Sequence, residues 1–386
     1  MVTSSQIQSL SQLARPMVTA YLNTKTEDQS HQLLVPGCLT WLKKAAKLAA
    51  RELPADEKTL FQEQLDRIEL FLRDRHPHER SLAIFAGAET WESVPLQVKV
   101  DNDLRWGPPA LAQLLWLVDQ HKPYCVLVVD RKGARFLRYQ LRELVEIEDM
   151  KFEIDISQWK KYELGHVTGQ TVHKTRGSQR DFFAHRMEAQ YAKLCSKTAR
   201  QAAMLCKKQN LAAIFLVGAD HLIGPMEAAI PPDLRSRVVL IKKDLGRISG
   251  SELQRHIEPR IDDWEHQHEI SLVTALFSSE QGTVIKIDEA LAQLQQGKIG
   301  VLVLGQDLNV DLHQCVKCGW ADRSADSVCS KCGATRQATT LRDVLPELAR
   351  KYRSDIEIVG GEAAKRLREA GGMGGWLRRV ERTAAQ

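Results

Sequence analysis

Four cysteines stand in two like pairs, Cys315-Val-Lys-Cys318-Gly and, after ten intervening residues, Cys329-Ser-Lys-Cys332-Gly. Thiolates spaced in this way can meet one Zn²⁺ tetrahedrally, each at about 2.3 Å. The glycine after each pair permits a tight turn that aims backbone N–H groups at sulfur. Four protein ligands close the shell and leave no place for water. The spacing therefore predicts a structural zinc held by Cys315, Cys318, Cys329 and Cys332, in a knuckle over residues 313–336. His313 is a further candidate ligand that a closed shell does not need. The alternatives are a redox dithiol or a knuckle without metal. Cys38, Cys125, Cys195 and Cys206 are expected to be core residues.

A second constellation is His173-Lys174-Thr-Arg176-Gly177-Ser178-Gln179-Arg180, followed by Phe182, Phe183 and Arg186. Hydrolysis of an ester needs a water beside the carbonyl and donors for the developing oxyanion. A Gln side chain and a backbone N–H can supply both, if the backbone comes close, and glycine allows that approach. Ser178 adds bulk where a second glycine would leave space. The cations around it can hold phosphates, which makes binding salt-dependent. The alternative reading is a plain flexible loop before a helix. Gly169-Gln170 repeats the pair without basic flanks or a following helix.

The residues of 173–191 resemble the catalytic loop of the archaeo-eukaryotic class-I peptide release factors and their Pelota relatives. In that superfamily a basic loop with a Gly-Gly-Gln core precedes a long helix. The third part of the chain extends the likeness. Val301-Leu-Val-Leu-Gly-Gln-Asp307-Leu308 is similar to the family's "LLxxxDL" strand, the cysteine pairs follow it, and Gly371-Gly-Met-Gly-Gly375-Trp-Leu-Arg378 matches "GGxGGxLR". The likeness runs over roughly 123–386, and the first domain is compatible with the bacterial branch. An Asn-Ile-Lys-Ser stop-codon loop is absent.

The resemblance implies Gly177, Ser178 and Gln179 as catalytic residues, and His173, Lys174, Arg176, Arg180 and Arg186 as RNA-binding ones. It implies binding in the ribosomal A site, against ribosomal RNA and peptidyl-tRNA, in stop-codon-independent rescue. The Gly-Ser-Gln variant also resembles that of the eukaryotic ribosome quality-control hydrolases, which cleave the tRNA itself. The alternative is a non-catalytic hibernation factor of the Balon kind on idle ribosomes. A translational GTPase such as elongation factor Tu is an expected partner. No P-loop occurs in the chain itself.

These sites need elements to position them. The 386 residues suggest two or three domains. Strands alternating with helices predict an α/β protein of three domains: an N-terminal α/β domain over 1–122, a middle mixed-sheet domain over 123–269, and an α/β sandwich with an inserted zinc ribbon over 270–386. The spacing predicts helices near 39–52, from Pro54, at 109–120, 181–208, 250–269, 271–279, 287–296, 341–352 and 362–369. Strands are expected at 81–87, 124–130, 134–141, 212–218, 238–242, 299–305 and 355–360. Residues 151–180 lack periodicity and read as a long loop.

The net charge of +5 is unevenly placed. Residues 165–208 hold nine Lys/Arg against two acids, so the rest of the chain sums to −2. This points to an anionic partner at one place, or to a solvated helix face. No apolar run is long enough to span a bilayer and no secretory leader is read, so a cytoplasmic location is expected.

Overall fold

A computed structural model describes residues 4–13, 16–24, 37–74, 79–152, 176–246, 248–279 and 282–378, with the side chains of 4, 5 and 176–187 excepted. Contacts divide the chain into two compact units, one of Met1–His121 with Glu265–Gln386, the other of Lys122–Trp264.

The first segment holds α1 (Ser4–Ser11), β1 (Met17–Asn23), α2 (Gly37–Glu52), α3 (Ala55–Asp74), β2 (Ser81–Gly87), β3 (Trp91–Leu96), β4 (Asp103–Gly107) and α4 (Ala112–Gln120). The strands form an antiparallel sheet in the order β3-β2-β1-β4. The apolar stripe of α3 (Phe61, Leu65, Ile68, Leu72) and Leu39 and Leu42 of α2 cover one face of it. A fully buried side chain of this size contributes about 1.5–3 kcal/mol.

The middle unit is built on β5 (Tyr124–Val129), β6 (Gly133–Gln140), β7 (Glu143–Lys151), α5 (Arg176–Gln209), β8 (Ile214–Gly218), α6 (Asp220–Ala229), α7 (Pro232–Arg235) and β9 (Val238–Lys242). The mixed sheet runs β7-β6-β5-β8-β9, with β5, β8 and β9 parallel and the β5-β6-β7 meander antiparallel. Alternation along β5 serves both faces. Cys125, Leu127 and Val129 pack with α5 and α6, while Tyr124, Val126 and Val128 pack with Leu253, Ile257 and Ile261 of α8 (Gly250–Ser278).

Two expected helices, near 250–269 and 271–279, are one continuous α8. Glu269-Ile-Ser-Leu offers no breaker, and Pro259 costs one hydrogen bond without ending the helix. Val273 and Leu276, further along it, belong to the core of the last segment.

The last segment continues with β10 (Thr283–Ile285), α9 (Ile287–Gln295), β11 (Ile299–Gly305), β12 (Asp311–Cys315), β13 (Ala321–Asp322), β14 (Arg336–Thr340), α10 (Leu341–Lys351), β15 (Asp355–Val359), α11 (Gly361–Ala370) and β16 (Met373–Leu377). One sheet is ordered β10-β16-β11-β15 and a small antiparallel one β13-β12-β14. Most of the glycine-rich stretch, Met373–Leu377, is thus an inner strand of the main sheet. Its glycines answer to close backbone: a Cβ on Gly375 would lie 2.7 Å from the Val301 carbonyl oxygen, and one on Gly374 2.9 Å from that of Val284. Trp116 of α4 is buried in the core of this segment, with Leu341, Leu345 and Leu348 of α10. Among the described residues no helix is long and apolar enough to cross a membrane.

Candidate functional site

The metal candidate is built from two turns with matching hydrogen bonds. In the first, the Gly319 N–H donates to the Cys315 carbonyl at 3.0 Å and the Cys315 N–H to the Trp320 carbonyl at 2.9 Å. In the second, the Gly333 N–H donates to the Cys329 carbonyl at 2.9 Å and the Cys329 N–H to the Ala334 carbonyl at 2.8 Å. Both glycines sit at positive φ, 74° for Gly319 and 73° for Gly333, where a side chain would be strained.

The turns present backbone donors to sulfur. Cys315 Sγ accepts from Lys317 N and Cys318 N at 3.4 Å, and Cys329 Sγ from Lys331 N at 3.4 Å. All four sulfurs lie within 4.8 Å of one another. Two separations are 3.4 Å (Cys315–Cys332) and 3.6 Å (Cys318–Cys329). A tetrahedron with metal–sulfur distances of about 2.3 Å has edges of about 3.8 Å, so the donor set fits such an ion. His313 is not among the clustered ligand atoms.

Electrostatics point the same way. The Cys318 N–H above all, aided by that of Lys317, brings the Cys315 thiol down to about 6 against the effect of burial. The Cys318 thiol receives the Trp320 N–H but is pushed up to about 12 by burial and the neighbouring sulfurs. The Cys315 thiolate forms readily and the Cys318 thiol is held back beside it. A cation at the centre would let all four ionise.

Residues that the spacing of cysteines did not reveal hold this ribbon in place. The Gln295 side chain of α9 pairs with Ala321 as a strand would: Ala321 N donates to Oε1 at 2.8 Å, and Nε2 donates to the Ala321 carbonyl at 2.7 Å. The buried Arg336 side chain donates to the Asp322 carboxylate and, at 2.6 Å, to the His313 carbonyl. Asp322 also accepts from Trp320 Nε1 at 2.9 Å, and the Lys331 ammonium lies 4.7 Å from the Trp320 ring centroid. The only hint of this bracing in the sequence is that these polar residues flank the cysteine pairs.

The second constellation lies at the start of α5. Gly177, Ser178 and Gln179 are in its first turn, with Arg176 opening the helix and Arg180 and Arg186 further along it. The helix therefore begins about one turn before the expected 181, so the Gly-Ser-Gln triplet is helical backbone rather than loop. Arg, Gln and Ser carry small helix penalties, and one glycine costs about 1 kcal/mol, which a 34-residue helix absorbs. His173, Lys174 and Gly169-Gln170 lie outside the described residues. Further along α5, Cys195, Thr198, Ala199, Ala202, Leu205 and Cys206 face the core.

Residues 109–258 match the family described as bacterial archaeo-eukaryotic release factor family 10. The middle of this chain is similar to a release-factor-type domain. The match spans β5 to β9 and all of α5. No curated protein matches the chain.

Among solved structures, the chain is similar to an archaeal Pelota in a ribosome-bound model with ABCE1, at 10% identity over 97% of this chain and 94% of that one, TM-score 0.40. It is similar to Dom34 of S. cerevisiae, a translation termination-like factor, at 11% identity over 76% and 73%, TM-score 0.36. It is also similar to the archaeal translation termination factor aRF1, at 12% identity over 97% and 96%, TM-score 0.24. Likenesses at this level carry no argument about the site.

Proposed function

We propose that the protein acts on the ribosome as a stop-codon-independent rescue factor, hydrolysing or cleaving peptidyl-tRNA. The observation that carries this reading is the family match over 109–258, which contains α5 with Arg176-Gly-Ser-Gln179-Arg180 at its head. In this reading the chain works as three functional parts, 1–122, 123–269 and 270–386. The middle part carries Gln179 to the peptidyl-transferase centre from the A site. Gln179 and a nearby backbone N–H place the water and receive the oxyanion. His173, Lys174, Arg176, Arg180 and Arg186 hold phosphates of RNA. The first part sits near the decoding centre. The last part meets a translational GTPase such as elongation factor Tu, on a surface stiffened by Zn²⁺ at Cys315, Cys318, Cys329 and Cys332. Bound zinc supplies structural cross-linking there and no catalysis, because four thiolates leave no open position. The expected location is the cytoplasm, where ribosomes are.

One observation favours a second reading. The helical backbone at 176–179 does not present the triplet on an extended loop. A hibernation factor that occupies the A site of idle ribosomes needs the shape and the cations, and not the chemistry. The test uses ribosomes with labelled peptidyl-tRNA in the P site and an empty A site. Release of peptide, or shortening of tRNA, by wild type and its loss in Gln179→Ala support rescue. Stable binding with intact peptidyl-tRNA overturns rescue and leaves hibernation.

A further inference from the structure

Beyond the triplet, α5 carries a second feature that the rescue reading does not use. Lys193, Lys197, Arg200, Lys207 and Lys208 are all exposed. Counted from Lys193 they fall at i, i+4, i+7, i+14 and i+15, which is one face of a helix. The face opposite is the buried one, formed by Cys195, Ala199, Ala202 and Cys206. The cations therefore form a straight row about 22 Å long, at 1.5 Å per residue.

Among the described residues none of these five forms an ion pair, and Arg200 donates Nε to the Ser196 carbonyl of its own helix at 3.2 Å. Beside the row, Glu148 accepts from Gln201 Nε2 at 2.6 Å. A row of five like charges on one rigid helix repels itself, and its i,i+4 pairs of like sign are unfavourable until an anion lies between them.

The composition of the face narrows the ligand. Met204, the large apolar side chain exposed within the row, is aliphatic. Tyr191, at its start, is turned toward α6, its hydroxyl 3.5 Å from the Leu222 carbonyl. Binding to single strands relies on aromatic platforms for bases. Duplex RNA is bound through its backbone by shape and phosphate contacts. Among the described residues, a rigid row of cations without an exposed aromatic suits the latter.

We propose that this face of α5 is a binding surface for the phosphate backbone of a base-paired RNA segment. The inference deepens the ribosomal reading by naming the partner of the helix flank, and it is independent of any chemistry at Gln179. Binding here is sequence-indifferent and driven by counterion release.

The probe is a fluorescent RNA duplex of about 20 base pairs, titrated with the full-length protein from about 50 to about 200 mM salt. A variant with Lys193→Gln, Lys197→Gln, Lys207→Gln and Lys208→Gln should weaken binding at least about tenfold. It should also flatten the slope of log affinity against log salt by about 3, since each phosphate no longer neutralised removes about 0.9. The control removes equal charge elsewhere, by Lys47→Gln, Lys58→Gln, Lys298→Gln and Lys365→Gln, all at exposed positions, and should change the slope by less than about 1.

All eight sites are exposed, so matched circular dichroism spectra should show that both variants fold. Gln179→Ala should keep full duplex binding, which separates failure of this surface from failure of the rescue chemistry. An unchanged slope in the α5 variant overturns the proposal. So does an equal loss in the control, or displacement of the duplex by poly-glutamate as readily as by unlabelled duplex, which would make the partner an acidic protein.

Discussion

At Gly375 a single carbonyl decides which residue the chain can use. The Val301 oxygen leaves 2.7 Å for a Cβ, closer than side chains tolerate, and the obstacle is backbone inside a sheet. Gly375→Ala should lower stability by about 1–3 kcal/mol through forced separation of β11 and β16, seen as a lower urea midpoint with unchanged slope. Asp322 makes a second prediction. Partial burial raises its carboxyl, but hydrogen bonds from Arg336, the Ser324 N–H and Trp320 outweigh this and hold it below its usual 3.8. A carboxyl depressed in the folded state adds stability above its unfolded value, and that stability is lost as pH falls through the folded value. The advantage of wild type over Asp322→Asn in urea should thus be full near neutral pH and shrink below about pH 4.

At the scale of elements, the four-cysteine ribbon and α10 are joined through β14. β12 and β14 pair from Asp311↔Thr340 to Cys315↔Arg336, so the sheet starts at one ligand and ends at the helix cap. Thr340 Oγ1 accepts the Asp343 N–H at the start of α10. Chelation should release about one zinc per chain, measured by a colorimetric indicator. It should also raise amide exchange across β12–β14 while β5 and β8 stay protected. Cys318→Ser should have the same effect without a chelator, and retention of metal and protection by that variant would count against a four-sulfur site. Thr340→Ala should cost about 1 kcal/mol, as loss of a cap does. The knuckles were legible in the sequence because glycine and cysteine spacing is local chemistry. The bracing by Gln295 and Arg336 was not, because it joins residues 26 and 14 positions from their partners.

At the scale of the molecule, Trp116 shows how far chain order and packing diverge. The helix 109–120 closes the first stretch of sequence, yet Trp116 lies in the core of residues 284–373, with the Arg342 guanidinium 5.2 Å from its ring centroid. Asp119 accepts from Arg350 through both oxygens at 3.1 Å. Trp116→Ala should cost about 3–5 kcal/mol, and thermal unfolding should place the loss in the unit that holds the four-cysteine ribbon rather than in the middle one.

The sequence by itself determined what depends on neighbours along the chain. The period-2 and period-3.6 apolar patterns placed β5, β8, β9, β11, α2, α4, α9, α10 and α11 within a few residues. The Cys-x-x-Cys-Gly pairs named a four-cysteine cluster able to hold a metal, and Arg176-Gly-Ser-Gln179 suggested a release-factor likeness. Tertiary structure alone decided what depends on contacts between distant residues. It made Met373-Gly-Gly-Trp-Leu377 an inner strand, because glycine's low strand propensity is overridden where two backbones must touch. It joined 250–278 into one helix, because packing on two cores outweighs Pro259. It also put five cations of α5 on one exposed face, because the opposite face is what the sheet buries.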